Sequence, residues 1–108
     1  WAVGNSATLS LLIPQDKPKS LIIYARALVS PLHPEQKVDV FVNDRLVNKY
    51  VFNRPEHNII EIPISREMSQ QGYLNVRFHF LNPVQPKTIG MGADSRALSL
   101  GIESLIFE

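Results

Sequence analysis

Cysteine is absent from the 108 residues, which removes a disulfide framework, a thiolate nucleophile and any Cys-based zinc site. A chain without thiols survives in reducing and oxidising surroundings alike, so composition leaves the compartment open. An excess of one charge is missing too: eleven Lys and Arg stand against ten Asp and Glu, a formal net charge of +1. That balance gives no electrostatic basis for nucleic acid, where many phosphates must be neutralised. Apolar runs extend only a few residues, far short of the roughly 20 that cross a bilayer, so direct membrane insertion of this segment is not expected. Neither a Gly-rich phosphate loop nor a G-x-S-x-G elbow occurs. The chain opens at Trp1 with no signal-peptide pattern and is read as a fragment of a larger protein or a processed product.

What is present describes a folded unit. With 44% hydrophobic residues the chain is too apolar for disorder. Its length suits a single domain over 1–108, able to bury roughly 60–70% of its unfolded surface.

Alternation of apolar and polar residues runs through most of the chain, the period of strands with one buried face. Ala7, Leu9, Leu11 and Ile13 share one face, and Pro14 and Pro18 close that strand. Leu21, Ile23, Ala25 and Ala27 form the next buried set, then Val38, Val40 and Val42. Asn43-Asp44 tolerates positive φ and predicts a tight turn into a returning arm, Leu46 to Phe52. Ile60, Ile62 and Ile64 follow, and Leu74, Val76, Phe78 and Phe80 make the clearest strand. Leu98, Leu100 and Ile102 occupy even positions but Leu105 and Phe107 odd ones, which predicts a β-bulge near Glu103-Ser104. The one helical candidate is a turn capped by Ser65 and stopped by Gly72. Without βαβ alternation, these elements predict an all-β fold: an antiparallel, jelly-roll-like β-sandwich of seven to eight strands.

The search for chemistry yields no catalytic residue, no metal ligand set and no cofactor. His33, His57 and His79 are widely spaced and read as loop or surface histidines. Asp39, Asp44, Glu56, Glu61, Asp94 and Glu103 do not cluster as calcium-loop ligands do, which leaves calcium only to carboxylates gathered from separate loops. Gly90-Met91-Gly92 has no following helix and reads as a flexible turn.

The segment from Asn82-Pro83 to Gly101 carries more information. Asp94 and Arg96 precede the final strand, where the carboxylate can close an Asx-type turn and the guanidinium can reach a nearby carbonyl. Alternatively, Arg96 lines a sugar or phosphate site. Trp1-x-x-Gly4-x-x-Ala7-x-Leu9, the Asn82-Pro83 loop with Ile89-Gly90, and Asp94-x-Arg96-x-Leu98 occur in that order. This pattern resembles the β-sandwich (jelly-roll-like) accessory domain appended to bacterial envelope-glycan enzymes, namely membrane glycosyltransferases and phosphoglycerol transferases. The chain departs from the pattern at Ser99, where such domains often carry glycine; here glycine comes at Gly101. The resemblance implies a periplasmic or extracytoplasmic domain of a membrane protein, with chemistry performed elsewhere in the parent chain.

Two readings follow. In the first, the domain is a non-catalytic module that positions or recognises glycan. Aromatic faces stack on sugars while amides and charges bond the hydroxyls. Tyr73, Asn75, Arg77 and His79 share one strand face and form the best row for this; Arg96 and Trp1 complete the expected carbohydrate-binding set. Trp1 can equally plug one end of the sandwich. Tyr24 and Tyr50 are further platforms, with Asn43, Asn53, Arg54 and His57 as further polar partners. In the second reading the domain docks on the catalytic domain of the parent chain or another partner. Ile22, Phe41 and Ile59 point away from the main apolar face and would mark the docking patch if exposed together.

Overall fold

The alternating segments fold as the strands their period requires. A computed structural model describes residues 4–82 and 100–108, and among them seven strands and one short helix form. These are β1 (Ser6–Leu12), β2 (Ser20–Ala27), β3 (Gln36–Val42), β4 (Arg45–Phe52), β5 (Asn58–Pro63), α1 (Arg66–Gln71), β6 (Tyr73–Phe80) and β7 (Leu100–Phe107). Every pairing is antiparallel. One sheet has the order β1-β6-β3-β4 and the other β5-β2-β7. Among the described strands only β3 and β4 succeed each other within a sheet, and each other consecutive pair lies in opposite sheets. The expected all-β antiparallel sandwich, with seven strands in two sheets, is thus the observed architecture. Trp1, Gly90-Met91-Gly92, Asp94, Arg96 and Leu98 lie outside the described residues.

One core joins the two sheets. Leu21, Ile23, Ala25 and Ala27 of β2 and Ile60 and Ile62 of β5 meet Val38, Val40 and Val42 of β3 and Leu74, Val76, Phe78 and Phe80 of β6. Each of the larger side chains contributes about 1.5–3 kcal/mol by leaving water. The central strands β2, β3 and β6 supply most of it, because a strand with neighbours on both edges can cover its inner face completely.

The turns follow from backbone chemistry. Asn43 and Asp44 take φ of 48° and 68°, the left-handed pair that joins β3 to β4. Ser65 accepts a 3.1 Å bond from the Met68 N–H, and Gly72 ends α1 at φ 80°, as the cap residues predicted.

Two bulges reset the alternation of side chains. Between Tyr24 and Ala25 the partner on β7 jumps from Ser104 to Ile102, so Glu103 is the extra residue and the predicted bulge is present. It turns Leu105 and Phe107 to the side of β2 that carries Ile23 and Leu21. A second bulge lies in β4, where the partners of Val40 and Phe41 are Asn48 and Leu46. Val47 is the residue left over, which lets Val47, Tyr50 and Phe52 all reach the core. Sequence alternation did not reveal this one.

Candidate functional site

The outer face of the four-stranded sheet collects its side chains from three strands. Tyr73, Asn75, Arg77 and His79 occupy alternate positions of β6, opposite the buried Leu74, Val76, Phe78 and Phe80. The β1–β6 register sets Leu12 against Tyr73, Ser10 against Asn75, Thr8 against Arg77 and Ser6 against His79. On the other side, β3 sets Phe41 against Arg77 and Asp39 against His79. The four β6 side chains expected to work together do stand in one row, flanked by a hydroxyl column on β1 and a mixed column on β3.

This row is tied at several points. Ser10 Oγ donates to Asn75 Oδ1 at 3.3 Å. The Asn75 N–H donates to Asn43 Oδ1 at 2.8 Å, and the Asn43 N–H returns a 2.9 Å bond to the Asn75 carbonyl. Asn43 Nδ2 then reaches Gln71 Oε1 at 3.2 Å. Asn43 therefore serves as a clamp between the turn and β6, with its side-chain oxygen extending the β3–β6 ladder by one acceptor. The guanidinium carbon of Arg77 lies 4.1 Å from the centroid of the Phe41 ring, a cation–π contact that holds the side chain across the sheet. Asp39 is buried and stands between His79 on β6 and Lys49 on β4. Tyr73, half exposed, closes the row beside Leu12. The arrangement offers fixed amides, hydroxyls and a guanidinium on a flat surface with a tyrosine at one end.

Other expected contributors part company. Tyr50 is no platform: its ring packs on the core, stacked on Phe52 with centroids 5.5 Å apart. The bulge at Val47 turns it inward. Tyr24 lies on the opposite sheet, in an open cleft of about 500 Å³ with Arg26, Glu56, His57 and Ser104. There Arg26 Nη2 bonds Glu56 Oε1 at 2.6 Å. His57 Nε2 is 4.0 Å from Glu56 Oε2, beyond hydrogen-bond length, and its side chain is 85% exposed. Arg54 bonds the His57 carbonyl and so fastens its own loop. Among the described residues no group of three His, Asp or Glu side chains is placed to hold a metal ion. Trp1 and Arg96, the remaining members of the expected set, lie outside the described residues.

The expected docking patch does not form from Ile22, Phe41 and Ile59. Phe41 faces outward from the four-stranded sheet, whereas Ile22 and Ile59 belong to the other. Ile22 is only 8% exposed, while Ile59 and Ile106 on the same face reach 52% and 43%. Alternation alone could not assign two outward residues to different sheets.

Asn82, singled out in the sequence for its place before Pro83, has a structural task. Its Oδ1 accepts from the Lys37 N–H at 2.8 Å and from Gln36 Nε2 at 3.0 Å, and its Nδ2 donates to the Glu35 carbonyl at 2.8 Å. Gln36 is fully buried, so Asn82 satisfies a polar group that water cannot reach.

Sequence reasoning missed Asp39, Thr8 and Ser10 as members of this surface. Their alternation was visible, but the adjacency of β1, β6 and β3 was not. Comparison with protein-family models, with curated proteins and with solved structures finds no match to this chain.

Proposed function

We propose that this domain recognises or positions carbohydrate without transforming it, as the accessory domain of a bacterial envelope-glycan-modifying transferase. In this reading it works outside the cytoplasm, attached to a membrane protein whose catalytic part is a glycosyltransferase or a phosphoglycerol transferase. The observation that carries the reading is the register-built outer face: Tyr73, Asn75, Arg77 and His79 aligned between the β1 hydroxyls and Asn43, Phe41 and Asp39. A hydroxyl-rich chain is matched by pre-positioned amides and hydroxyls, whose geometry is set before the ligand arrives and so loses little entropy on binding. A ring at the end of the row supplies a stacking face. The resemblance of the opening, Asn82-Pro83 and Asp94-x-Arg96-x-Leu98 motifs supplies the envelope context.

The test is an NMR titration with neutral glucan oligosaccharides. Amide and side-chain shifts at Asn75, Arg77 and His79 are expected, with unchanged oligosaccharide recovered afterwards. Tyr73→Ala and Arg77→Ala are each expected to weaken binding about fivefold, the loss of one stacking or charge-assisted contact. Shifts absent from this face, or release of a cleaved product, would overturn the proposal.

A second reading is an interaction domain that packs on the parent chain's catalytic domain. It is favoured by the exposed Ile59 and Ile106 flanking Ile22 on the three-stranded sheet. It expects no sugar-dependent shifts, and loss of the association in Ile59→Glu.

A further inference from the structure

At the end of the sandwich where the β6 row finishes, a cleft of about 900 Å³ opens between the β1–β2 loop, the end of β5 and α1. Its walls carry Lys17, Lys19 and Arg66, and among the described residues no Asp or Glu lines it. Asp16, next to Lys17 in sequence, is exposed outside the lining. Leu12, Pro18 and Ile64 supply apolar surface among the cations. Such a mixture, in a volume within the range of small-molecule sites, fits a ligand with an anionic group on a compact body. Nearly neutral overall, the chain has gathered three of its eleven basic side chains in this lining, and Glu108, whose carbonyl accepts from the Lys19 N–H, stays outside it. Lys17 holds φ 54°, a left-handed backbone that bulky residues rarely adopt.

The cleft is continuous with the outer face. Leu12, which lines it, is the cross-strand partner of Tyr73, and Gly72, which precedes Tyr73, also lines it. We infer that the cleft receives the carboxylate or phosphate group of an acidic saccharide whose neutral part lies along the Tyr73–His79 row. This rests on the carbohydrate reading and narrows it to acidic glycans. Lys17, Lys19 and Arg66 would hold the anion through charge-assisted hydrogen bonds. A concave site beside a polar sheet face favours a saccharide over a lipid surface, which would need apolar side chains projecting together from a convex rim.

Calorimetry and NMR on the domain would compare α-1,4-linked trigalacturonate with the neutral galactotriose of the same linkage. The acidic trimer is expected to bind about tenfold more tightly at low salt, the worth of one hydrogen bond to a charged group, with the gap closing as salt screens it. Its shifts should extend to Lys17, Lys19 and Arg66. The triple change Lys17→Gln, Lys19→Gln and Arg66→Gln, all at exposed positions, should erase the gap and leave galactotriose binding intact. Equal affinities, or a gap that survives the triple change, would overturn the cleft assignment while the carbohydrate reading stands. Failure of both trimers would remove both. Binding only to phosphatidylglycerol-containing vesicles would also overturn both, in favour of a membrane surface, and shifts from inorganic phosphate without either trimer would overturn the saccharide assignment.

Discussion

Arg77 and Phe41 meet across the β6–β3 ladder, the guanidinium carbon 4.1 Å from the ring centroid. They are directly opposed on the solvent side of the sheet, so the ring buries one face under a cation and the arginine loses freedom it would have in water. The contact orders the middle of the polar row, because it holds the guanidinium on the β3 side of β6, over the Phe41 ring. The same contact occupies one face of Phe41, which leaves Tyr73 as the aromatic surface open to a ligand.

This pair should be measurable as a coupling. A double-mutant cycle with Arg77→Ala and Phe41→Leu, followed by urea unfolding, is expected to give about 0.5–1 kcal/mol of interaction energy at this half-exposed site. Arg77→Lys should recover only part of it, because an ammonium lacks the planar stack. A coupling indistinguishable from zero would mean that the contact orders nothing.

Asn82 should matter more to stability than its partly exposed position implies. Asn82→Ala removes the partner of the Lys37 N–H and of the Glu35 carbonyl and leaves the buried Gln36 amide with the Lys37 carbonyl as its remaining acceptor, and a loss of about 1–2 kcal/mol is expected in chemical denaturation. Asn82→Asp keeps the acceptor and loses the donor, so its loss should be smaller. Equal losses would contradict the hydrogen-bond assignment.

The ends of α1 give a cleaner pair. Gly72→Ala meets nothing within 4 Å, so its expected loss of about 1–2 kcal/mol is purely the strain of a side chain at φ 80°. Ser65→Ala should lose about 1 kcal/mol through the Met68 N–H. Thermal unfolding of the two single variants and the double variant checks both values.

Removing Glu103 should be tolerated. Without this residue β7 alternates without interruption, and Ile23 keeps Leu105 opposite it while Leu21 keeps Phe107. We expect a folded domain with stability within about 1 kcal/mol of the parent, the span of strand preferences at a single position. Long-range amide contacts between β2 and β7 would verify the register, and collapse of the fold would show that the bulge itself is required.

Ile22 and Ile59 separate burial from direction. Both face outward from the three-stranded sheet, yet the centre strand covers Ile22 with neighbours while Ile59 lies on an edge. Ile22→Thr is expected to lose about 1–2 kcal/mol, the transfer of a mostly buried side chain, and Ile59→Thr less than about 0.5 kcal/mol. Urea midpoints compared at constant slope decide it.

Much of this architecture was legible residue by residue. The inward faces of β2, β3, β5 and β6, the Asn43-Asp44 turn, the Ser65 and Gly72 caps and the bulge at Glu103 are consequences of local geometry: side chains alternate along a strand, and few residues accept positive φ. The row Tyr73, Asn75, Arg77 and His79 was legible for the same reason, since one strand defines it. The tertiary structure alone decided that Ser10 would bond Asn75 sixty-five positions away, that Arg77 would lie over Phe41, that Tyr50 would turn inward, and that Lys17, Lys19 and Arg66 would line one cleft. Period two says which way a side chain faces but not which strand lies beside it. That choice belongs to the burial of two whole sheets against each other, a non-local energy no short stretch of chain contains.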